Sequence, residues 1–196
     1  MNSGNDKAAL RAELLERARA MVPKLRERAL QADRNRGIPI ETHLEYQAAG
    51  FYKIFQPARY GGYELPVGFM VEMCAELGRG CGSSAWVFSN LAGQSTIVGT
   101  HSPRAQDEVW ADNPGNLVAS SYPTGGGTAR RVEGGIVVNG LYSFASGVDF
   151  AQWENLQVFI PNEGRAPDHR FALVPKSDYT IKDDWFSTGL SGTGSR

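Results

Sequence analysis

The chain has 196 residues, of which 41% are hydrophobic and 21% charged, and its formal net charge is -1. This composition is typical of a globular protein. The lack of a basic excess argues against a nucleic-acid binder. No apolar run reaches the roughly 18–20 residues of a membrane helix. With no recognisable secretory signal and two cysteines, too few for a disulfide framework, we expect a cytoplasmic protein without nucleic-acid or membrane partners.

The first 36 residues predict a long amphipathic helix. Apolar residues recur at spacings of three or four from Leu10 to Ala29, as on one buried face of a helix. The same stretch holds nine basic and five acidic side chains, which indicates a charged, solvated opposite face. Because proline removes a backbone donor, we expect a kink or a break at Pro23.

Further helical patterns follow until about residue 115, and they cover residues 41–49, 67–77, 83–98 and 103–110. The last of these begins at Ser102-Pro103, a serine cap followed by proline in the first helical position. Either Ser83 or Ser84 could cap the preceding helix.

From about residue 116 the pattern changes to short segments rich in β-forming residues, separated by glycine and proline. They cover residues 117–121, 135–139, 141–146, 156–160 and 171–174, with hairpin-type turns at 133–135 and 139–140. The prediction is an α+β chain with a helical domain over 1–115 and an antiparallel β-barrel or sandwich over 116–196. The last twelve residues have turn chemistry and no closing strand, so we expect the β domain to be truncated.

Common catalytic signatures are mostly missing from the sequence. The three histidines, His43, His101 and His169, show no metal-ligand spacing, so no metal site is predicted. There is no nucleophile elbow, and the glycines at 125–127 do not form a dinucleotide fingerprint or a P-loop. These observations argue against a metalloenzyme or a hydrolase.

Two β-type segments are the best candidates for a ligand site. In the first, Ser120 and Ser121 precede a small-residue loop whose backbone N–H groups could approach a planar or anionic ligand. In the second, strand alternation is expected to place Phe144 and Ser146 on one face, which would suit a flat heteroaromatic ring with polar edges. The same alternation also occurs in strands for packing alone.

The order of several motifs resembles the acyl-CoA dehydrogenase superfamily, and most closely its flavin-dependent monooxygenase branch, the oxygenase components of two-component aromatic hydroxylases. The motifs are Arg59–Gly62, Cys81–Ser84, Asn139–Trp153 and Gly189–Ser195, and the likeness runs from roughly Pro23 to the end. The resemblance implies a helical N-terminal domain, a β-barrel middle domain and a C-terminal four-helix bundle, which this chain lacks. It also implies assembly as a homotetramer.

The resemblance further implies a flavin site. Phe144-Ala145-Ser146 stands where the dehydrogenases have Trp-Ile-Thr, so Phe144 is expected to stack on the flavin and Ser146, as the catalytic residue, to contact its nitrogen-5. The pyrimidine edge and phosphates would fall on Ser120, Ser121, Gly126, Gly127 and Thr128. Trp86 and Gln94 would lie at the substrate. Several hydroxylases of this branch have a histidine in the region of Gln94, and an amide cannot replace it as a base. A purely structural role for Gln94 is an equal alternative.

The implied function is that of a fragment of a monooxygenase that hydroxylates a small aromatic or polycyclic substrate with oxygen and reduced FMN or FAD from a separate flavin reductase. In a complete protein, Ser146→Ala is then expected to raise the release of hydrogen peroxide relative to product. Two alternatives stay open. One is an acyl-CoA dehydrogenase that desaturates an acyl thioester, although no carboxylate base is recognisable. The other is a non-catalytic truncated domain.

Overall fold

The computed structural model describes residues 3–122 and 126–196, with side chains from Asp6 onward. Five α-helices precede five β-strands in this part of the chain. The helices are α1 (Ser3–Asn35), α2 (Ile40–Ala48), α3 (Phe69–Gly78), α4 (Gly82–Val98) and α5 (Pro103–Trp110). The strands are β1 (Val118–Ser121), β2 (Gly127–Val132), β3 (Gly135–Gly140), β4 (Trp153–Ile160) and β5 (Asp168–Pro175). The predicted order, helices and then strands, is confirmed. The division at residue 115 stays a prediction.

Helix α1 runs through Pro23 without interruption, so a break is excluded, and the alternative of a kink stays a prediction. Leu14, Ala18 and Leu25 on its apolar face are almost completely buried against the other helices, whereas Pro23 is on the exposed side. Burial of a leucine-sized side chain contributes about 1.5–3 kcal/mol, and a proline inside a helix costs about 3 kcal/mol. Burial of several such side chains therefore offsets the cost of the proline.

Helix α4 connects the helical region to the sheet. Val87, Phe88 and Leu91 are fully or almost fully buried, and the helix packs against α3 and also against β1. The main core continues from these helices to Ala119 and Val148 in the β-rich part of the chain. Because α4 is buried on most of its surface, the side chains that it presents towards the strands are held in fixed positions.

The strands form two separate sheets. The first has the order β1-β4-β5, and the second is the β2-β3 hairpin. Strand β1 pairs in parallel with β4 in the register Val118↔Trp153, whereas β4 and β5 are antiparallel. The expectation of antiparallel pairing throughout is therefore wrong for β1, and the sheets are not closed into a barrel. A parallel pair needs a long crossover, which here contains the whole β2-β3 hairpin.

Two predicted β features differ from the structure. Residues 141–145 form no strand, and the Asn139–Gly140 segment lies at the end of β3 instead of in a turn. Strand β2 was missed because its residues are mostly polar and exposed, with only Ala129 buried. The turn at residues 133–135 is confirmed, with Gly134 at a φ of 80° that glycine adopts readily.

Candidate functional site

Residues 144–148 form a tight turn in place of the predicted strand. Phe144 has a φ of 67°, an uncommon conformation for a bulky residue. The Ser146 N–H donates to the Phe144 carbonyl oxygen at 2.9 Å, and the Val148 N–H donates to the Ala145 carbonyl oxygen at 3.1 Å. The Phe144 side chain is 61% exposed, whereas Ser146 is only 4% exposed. The prediction that both side chains share one face of a strand is therefore wrong, because the turn sends them into different surroundings.

The Ser146 hydroxyl is the first member of a buried hydroxyl relay, which we define as Ser146, Ser195 and Thr193. The Ser146 and Ser195 hydroxyl oxygens are 2.6 Å apart, and those of Ser195 and Thr193 are 2.7 Å apart. The Thr193 hydroxyl donates to the Leu190 carbonyl oxygen at 2.8 Å. From the other side, the Trp86 indole Nε1–H donates to Ser146 at 2.9 Å. The predicted residues Ser146 and Trp86 are thus in direct contact.

No role was predicted for Ser195 or Thr193, although both lie in the Gly189–Ser195 motif. They reach Ser146 because the end of the chain is fixed in place. The Arg196 side chain pairs with Asp149, and its Nε lies 3.2 Å from Asp183. Asp183 also pairs with Arg36 at 2.7 Å, and hydrogen bonds from Arg36 and Arg196 lower the pKa of this carboxyl group. These pairs join the end of the chain to Arg36, directly after α1, and to Asp149 in the turn after Ser146.

Exposed aromatic side chains accompany the Ser146 hydroxyl. Trp86, whose indole is bonded to Ser146, is 49% exposed, and Phe144 two residues before Ser146 is exposed as well. The Trp185 ring meets the Phe144 ring edge to face, with centroids 6.1 Å apart. Aromatic surface next to one buried polar group suits a planar ring with a polar edge.

Gln94 lies in a second polar network and is buried, with 5% of its surface exposed. Its Nε2–H donates to the Ser120 hydroxyl at 2.8 Å, and its Oε1 accepts from the Tyr122 hydroxyl at 2.7 Å and from Asn155 Nδ2 at 3.2 Å. Burial is the main cause that raises the pKa of Tyr122. The network positions Gln94 through protein groups, so a contact with substrate stays a prediction. Tyr122 and Asn155 were not identified from the sequence.

The other residues predicted to hold a cofactor lie around the start of β2 and the end of β1. Ser121 is buried, and its hydroxyl donates to the Ser143 carbonyl oxygen at 2.6 Å. A Cβ on Gly126 would lie 2.8 Å from the Leu141 carbonyl oxygen, and one on Gly127 would collide with the Asn139 carbonyl. Close approach of β2 and β3 explains Gly127, and close approach of the segments that flank these strands explains Gly126. Thr128 is exposed on β2. Residues 123–125, part of the predicted loop, lie outside the described residues.

A cavity of about 500 Å³ is lined by residues of β3, β4 and β5 and by the segment 177–184 that follows β5. The Glu154 carboxylate faces this cavity, is 4% exposed, and has no hydrogen-bond partner among the described residues. Burial raises the pKa of Glu154 to about 8. The Tyr179 hydroxyl is also buried without a described partner, and burial together with Glu154 raises its pKa to about 12. Glu154 was not singled out from the sequence, because it lies in an otherwise ordinary β pattern.

Within residues 3–122 and 126–196, no three His, Cys, Asp or Glu side chains come together in a way that could hold a metal ion. In the same part of the chain, no helix combines the length and apolar character needed to cross a bilayer.

Comparison with known proteins gives a consistent set of relatives. The family model for the acyl-CoA dehydrogenase N-terminal domain matches residues 7–111. The HsaA oxygenase subunit of a flavin-dependent monooxygenase from Mycobacterium tuberculosis is 37% identical over 183 residues, which cover 89% of this chain and 44% of that protein. The crystal structure of the M. tuberculosis HsaA monooxygenase superposes with a TM-score of 0.90 at 34% identity, covering 94% of this chain and 48% of that one.

A further solved structure is that of XiaF from Streptomyces, in complex with FADH2 and glycerol. It superposes with a TM-score of 0.89 at 30% identity, and the match covers all of this chain and 49% of XiaF. The chain thus spans about half the length of the proteins that it matches.

Proposed function

The chain belongs to the acyl-CoA dehydrogenase family, and from this premise we propose that it contributes the helical and middle regions of the oxygenase component of a flavin-dependent monooxygenase. Its relatives by sequence and by structure include the HsaA oxygenase subunit. The proposed reaction is hydroxylation of a small aromatic or polycyclic substrate.

The observation that carries the proposal is the Ser146 hydroxyl, held in place next to exposed aromatic side chains. Ser146 is fixed by the Trp86 indole on one side and by Ser195 on the other. A hydroxyl has one proton and two lone pairs, so Ser146 keeps hydrogen-bonding capacity for a ligand after both contacts are made. Trp86 and Phe144 offer apolar surface for a planar ring. The residues present therefore fit a flavin.

Reduced flavin, as FMN or FAD, would supply the electrons that place one atom of oxygen on the substrate and convert the other to water. Ser146 would hold the proton at flavin nitrogen-5, and Phe144 would stack on the ring. The pyrimidine edge and the phosphates would be held by Ser120, Ser121, Gly126, Gly127 and Thr128. Exclusion of water from this site would protect the reaction from unproductive release of peroxide.

Trp86 and Gln94 would contribute to the substrate side. Gln94 cannot act as a base because its amide does not ionise, and its hydrogen bonds to Ser120 and Tyr122 fix its orientation. A substrate hydroxyl would therefore be bound and oriented by Gln94, while its deprotonation would depend on another group.

The proposal includes a flavin reductase as partner, assembly into a homo-oligomer, and a cytoplasmic location. An oxygenase component that consumes reduced flavin needs a source of it, which is the reason for the reductase. The free thiols of Cys74 and Cys81 agree with a reducing compartment.

The direct test is binding of reduced FMN or FAD to the purified chain under anaerobic conditions, followed through tryptophan fluorescence. We expect binding that weakens at least several-fold in Phe144→Ala, since an exposed aromatic stacking surface is lost. Phe159→Ala is the matched control, because Phe159 is also exposed, at 40%, but lies on β4 away from Ser146. Failure of the wild-type chain to bind either reduced flavin would contradict the proposal, and so would reduction of bound oxidised flavin by an acyl-CoA.

A further inference from the structure

We infer that the cavity lined by β3, β4, β5 and the segment 177–184 binds a small organic cation, with the Glu154 carboxylate and the Tyr179 hydroxyl as its polar contacts. Both of these side chains line the cavity, whereas Ser146 is not among its described lining residues. The inference therefore goes beyond the proposed function and does not depend on it.

The cavity has the size and the walls of a small-molecule site. Its volume of about 500 Å³ lies within the range of roughly 300–1,000 Å³ that is typical of such sites. Leu156, Val174 and Ile181 contribute apolar surface to its walls. Ligand sites combine walls of this kind with a small number of well-placed polar groups, and Glu154 and Tyr179 are such groups.

Glu154 and Tyr179 lack the partners that buried polar groups normally have. Glu154 is 4% exposed, and neither of its carboxylate oxygens has a hydrogen-bond partner among the described residues. The same holds for the Tyr179 hydroxyl, which is close enough to Glu154 for the carboxylate to raise its pKa. Because buried polar groups in proteins are almost always hydrogen-bonded, these neighbouring groups indicate a partner that the described residues do not supply.

The charges on the lining favour a cation as that partner. Of the two basic residues there, Arg196 pairs with Asp149 and Asp183, which are not among the lining residues. The other, Lys182, is exposed. Glu154 therefore has no counter-charge among the described residues, and burial raises its pKa to about 8. A cation that enters the cavity would offset the cost of the buried carboxylate.

The segment 177–184 forms one wall of the cavity and is held mainly by side chains. Tyr179 and Ile181 pack against the main core, and Asp183 pairs with Arg36 at 2.7 Å. In the part of the chain that the structure describes, no backbone hydrogen bond joins this segment to a strand. Segments with few backbone hydrogen bonds open locally at low cost, so this wall can move and let a ligand reach Glu154.

The test compares benzamidine, a cation, with benzamide, a neutral molecule of similar shape, by calorimetry on the purified chain. Since the cation binds ionised Glu154, its affinity should rise about 25-fold from pH 6.5 to pH 8.5, as expected for a carboxyl group with a pKa of about 8. At pH 6.5, binding should release about one proton from Glu154 to the buffer. Benzamide should bind at least tenfold more weakly than benzamidine at pH 8.5.

Glu154 is the side chain expected to cause this pH dependence. No histidine or cysteine is among the described lining residues, and burial raises the pKa values of Tyr142 and Tyr179 further above the tested range. The other titratable side chains on the lining are Asp178, Lys182, Asp184 and Arg196.

Two variants separate the contributions of the polar contacts. Glu154→Gln should weaken benzamidine binding at least tenfold at pH 8.5 and should abolish its rise with pH, because a charge-assisted hydrogen bond is lost. Tyr179→Phe should weaken binding about fivefold, as expected for one neutral hydrogen bond. Glu163→Gln, at an exposed position between β4 and β5, is the control and should bind like the wild type.

The wild-type measurements are decisive even if a variant does not fold. Failure of benzamidine to bind at pH 8.5 would overturn the inference, and so would an affinity that does not change with pH. Tighter binding of benzamide than of benzamidine would also overturn it, because the site would then prefer a neutral ligand. Undiminished benzamidine binding in a folded Glu154→Gln variant would exclude Glu154 as the contact.

Discussion

Replacement of Glu154 by glutamine should remove a pH-dependent loss of stability. Glu154 is buried without a described partner, and its pKa is raised from an ordinary value near 4.5 to about 8. The folded protein therefore holds this proton more tightly than the unfolded chain does. The stabilisation is fully present below pH 4.5 and is lost as the pH rises towards 8. Glutamine has a similar shape and carries no proton to lose.

The size of the effect follows from the pKa of the carboxyl group. Each tenfold difference in proton affinity corresponds to about 1.4 kcal/mol, so the wild-type chain should lose about 3 kcal/mol of this contribution between pH 4.5 and pH 7. The Glu154→Gln variant lacks this loss. Its free energy of unfolding relative to wild type should therefore rise by about 3 kcal/mol over the same interval. Other carboxyl groups contribute equally to both proteins and cancel in the difference.

The assay is urea unfolding of both proteins at pH 5 and pH 8, with Glu163→Gln as the control. Glu163 is exposed in the loop between β4 and β5, so this variant makes the same change of residue type at the surface. The reasoning is refuted if the difference between Glu154→Gln and wild type is the same at both pH values, because the folded and unfolded chains would then hold the proton equally.

Three further changes test the turn and the surroundings of Ser146. Phe144→Gly should be at least as stable in urea as Phe144→Ala, because glycine adopts without cost a left-handed conformation that costs other residues about 1–2 kcal/mol. A less stable glycine variant would argue against strain at this position. Trp86→Phe should lower the free energy of unfolding by about 1 kcal/mol, because the hydrogen bond from the indole to Ser146 is lost. An unchanged free energy of unfolding would show that this bond contributes nothing to stability. Arg196→Gln should speed amide hydrogen exchange at residues 183–196, while the free energy of unfolding of the whole protein changes by only about 1 kcal/mol. Slow exchange at these residues would show that other contacts hold the segment.

The helical part of the fold could be predicted because helices depend on local signals. The periodic apolar stripe of α1 and the Ser102-Pro103 start of α5 were both recognised, and the Ser102 hydroxyl does accept from the Ala105 N–H, at 3.3 Å. The chain does not break at Pro23, because tertiary burial offsets a local preference. The parallel pairing of β1 with β4 joins residues more than thirty positions apart, which a local pattern does not indicate.

The candidate site was found only in part for the same reason. Ser146 and Trp86 were singled out through a resemblance, and the structure brings them into contact across sixty positions of sequence. Ser195 and Thr193 reach Ser146 through long-range contacts such as the Arg196–Asp149 pair and the hydrogen bond from the Gly147 N–H to the Thr193 carbonyl oxygen, and no periodicity in the sequence encodes them. Glu154 has an ordinary place in a strand, and its lack of a partner becomes visible only when the surrounding side chains are placed.

The turn at residues 144–148 shows why an incorrect local structure can still indicate the relevant residues. On a strand, the Phe144 and Ser146 side chains would point the same way, and both would be either exposed or buried. The turn, with Phe144 at positive φ, instead exposes the ring while the hydroxyl is directed inward to Trp86 and Ser195. A flavin that contacts both side chains would have to stack on the exposed ring and also reach the buried hydroxyl. The resemblance therefore indicated two residues that are close in space, while contact of both with one flavin stays a prediction.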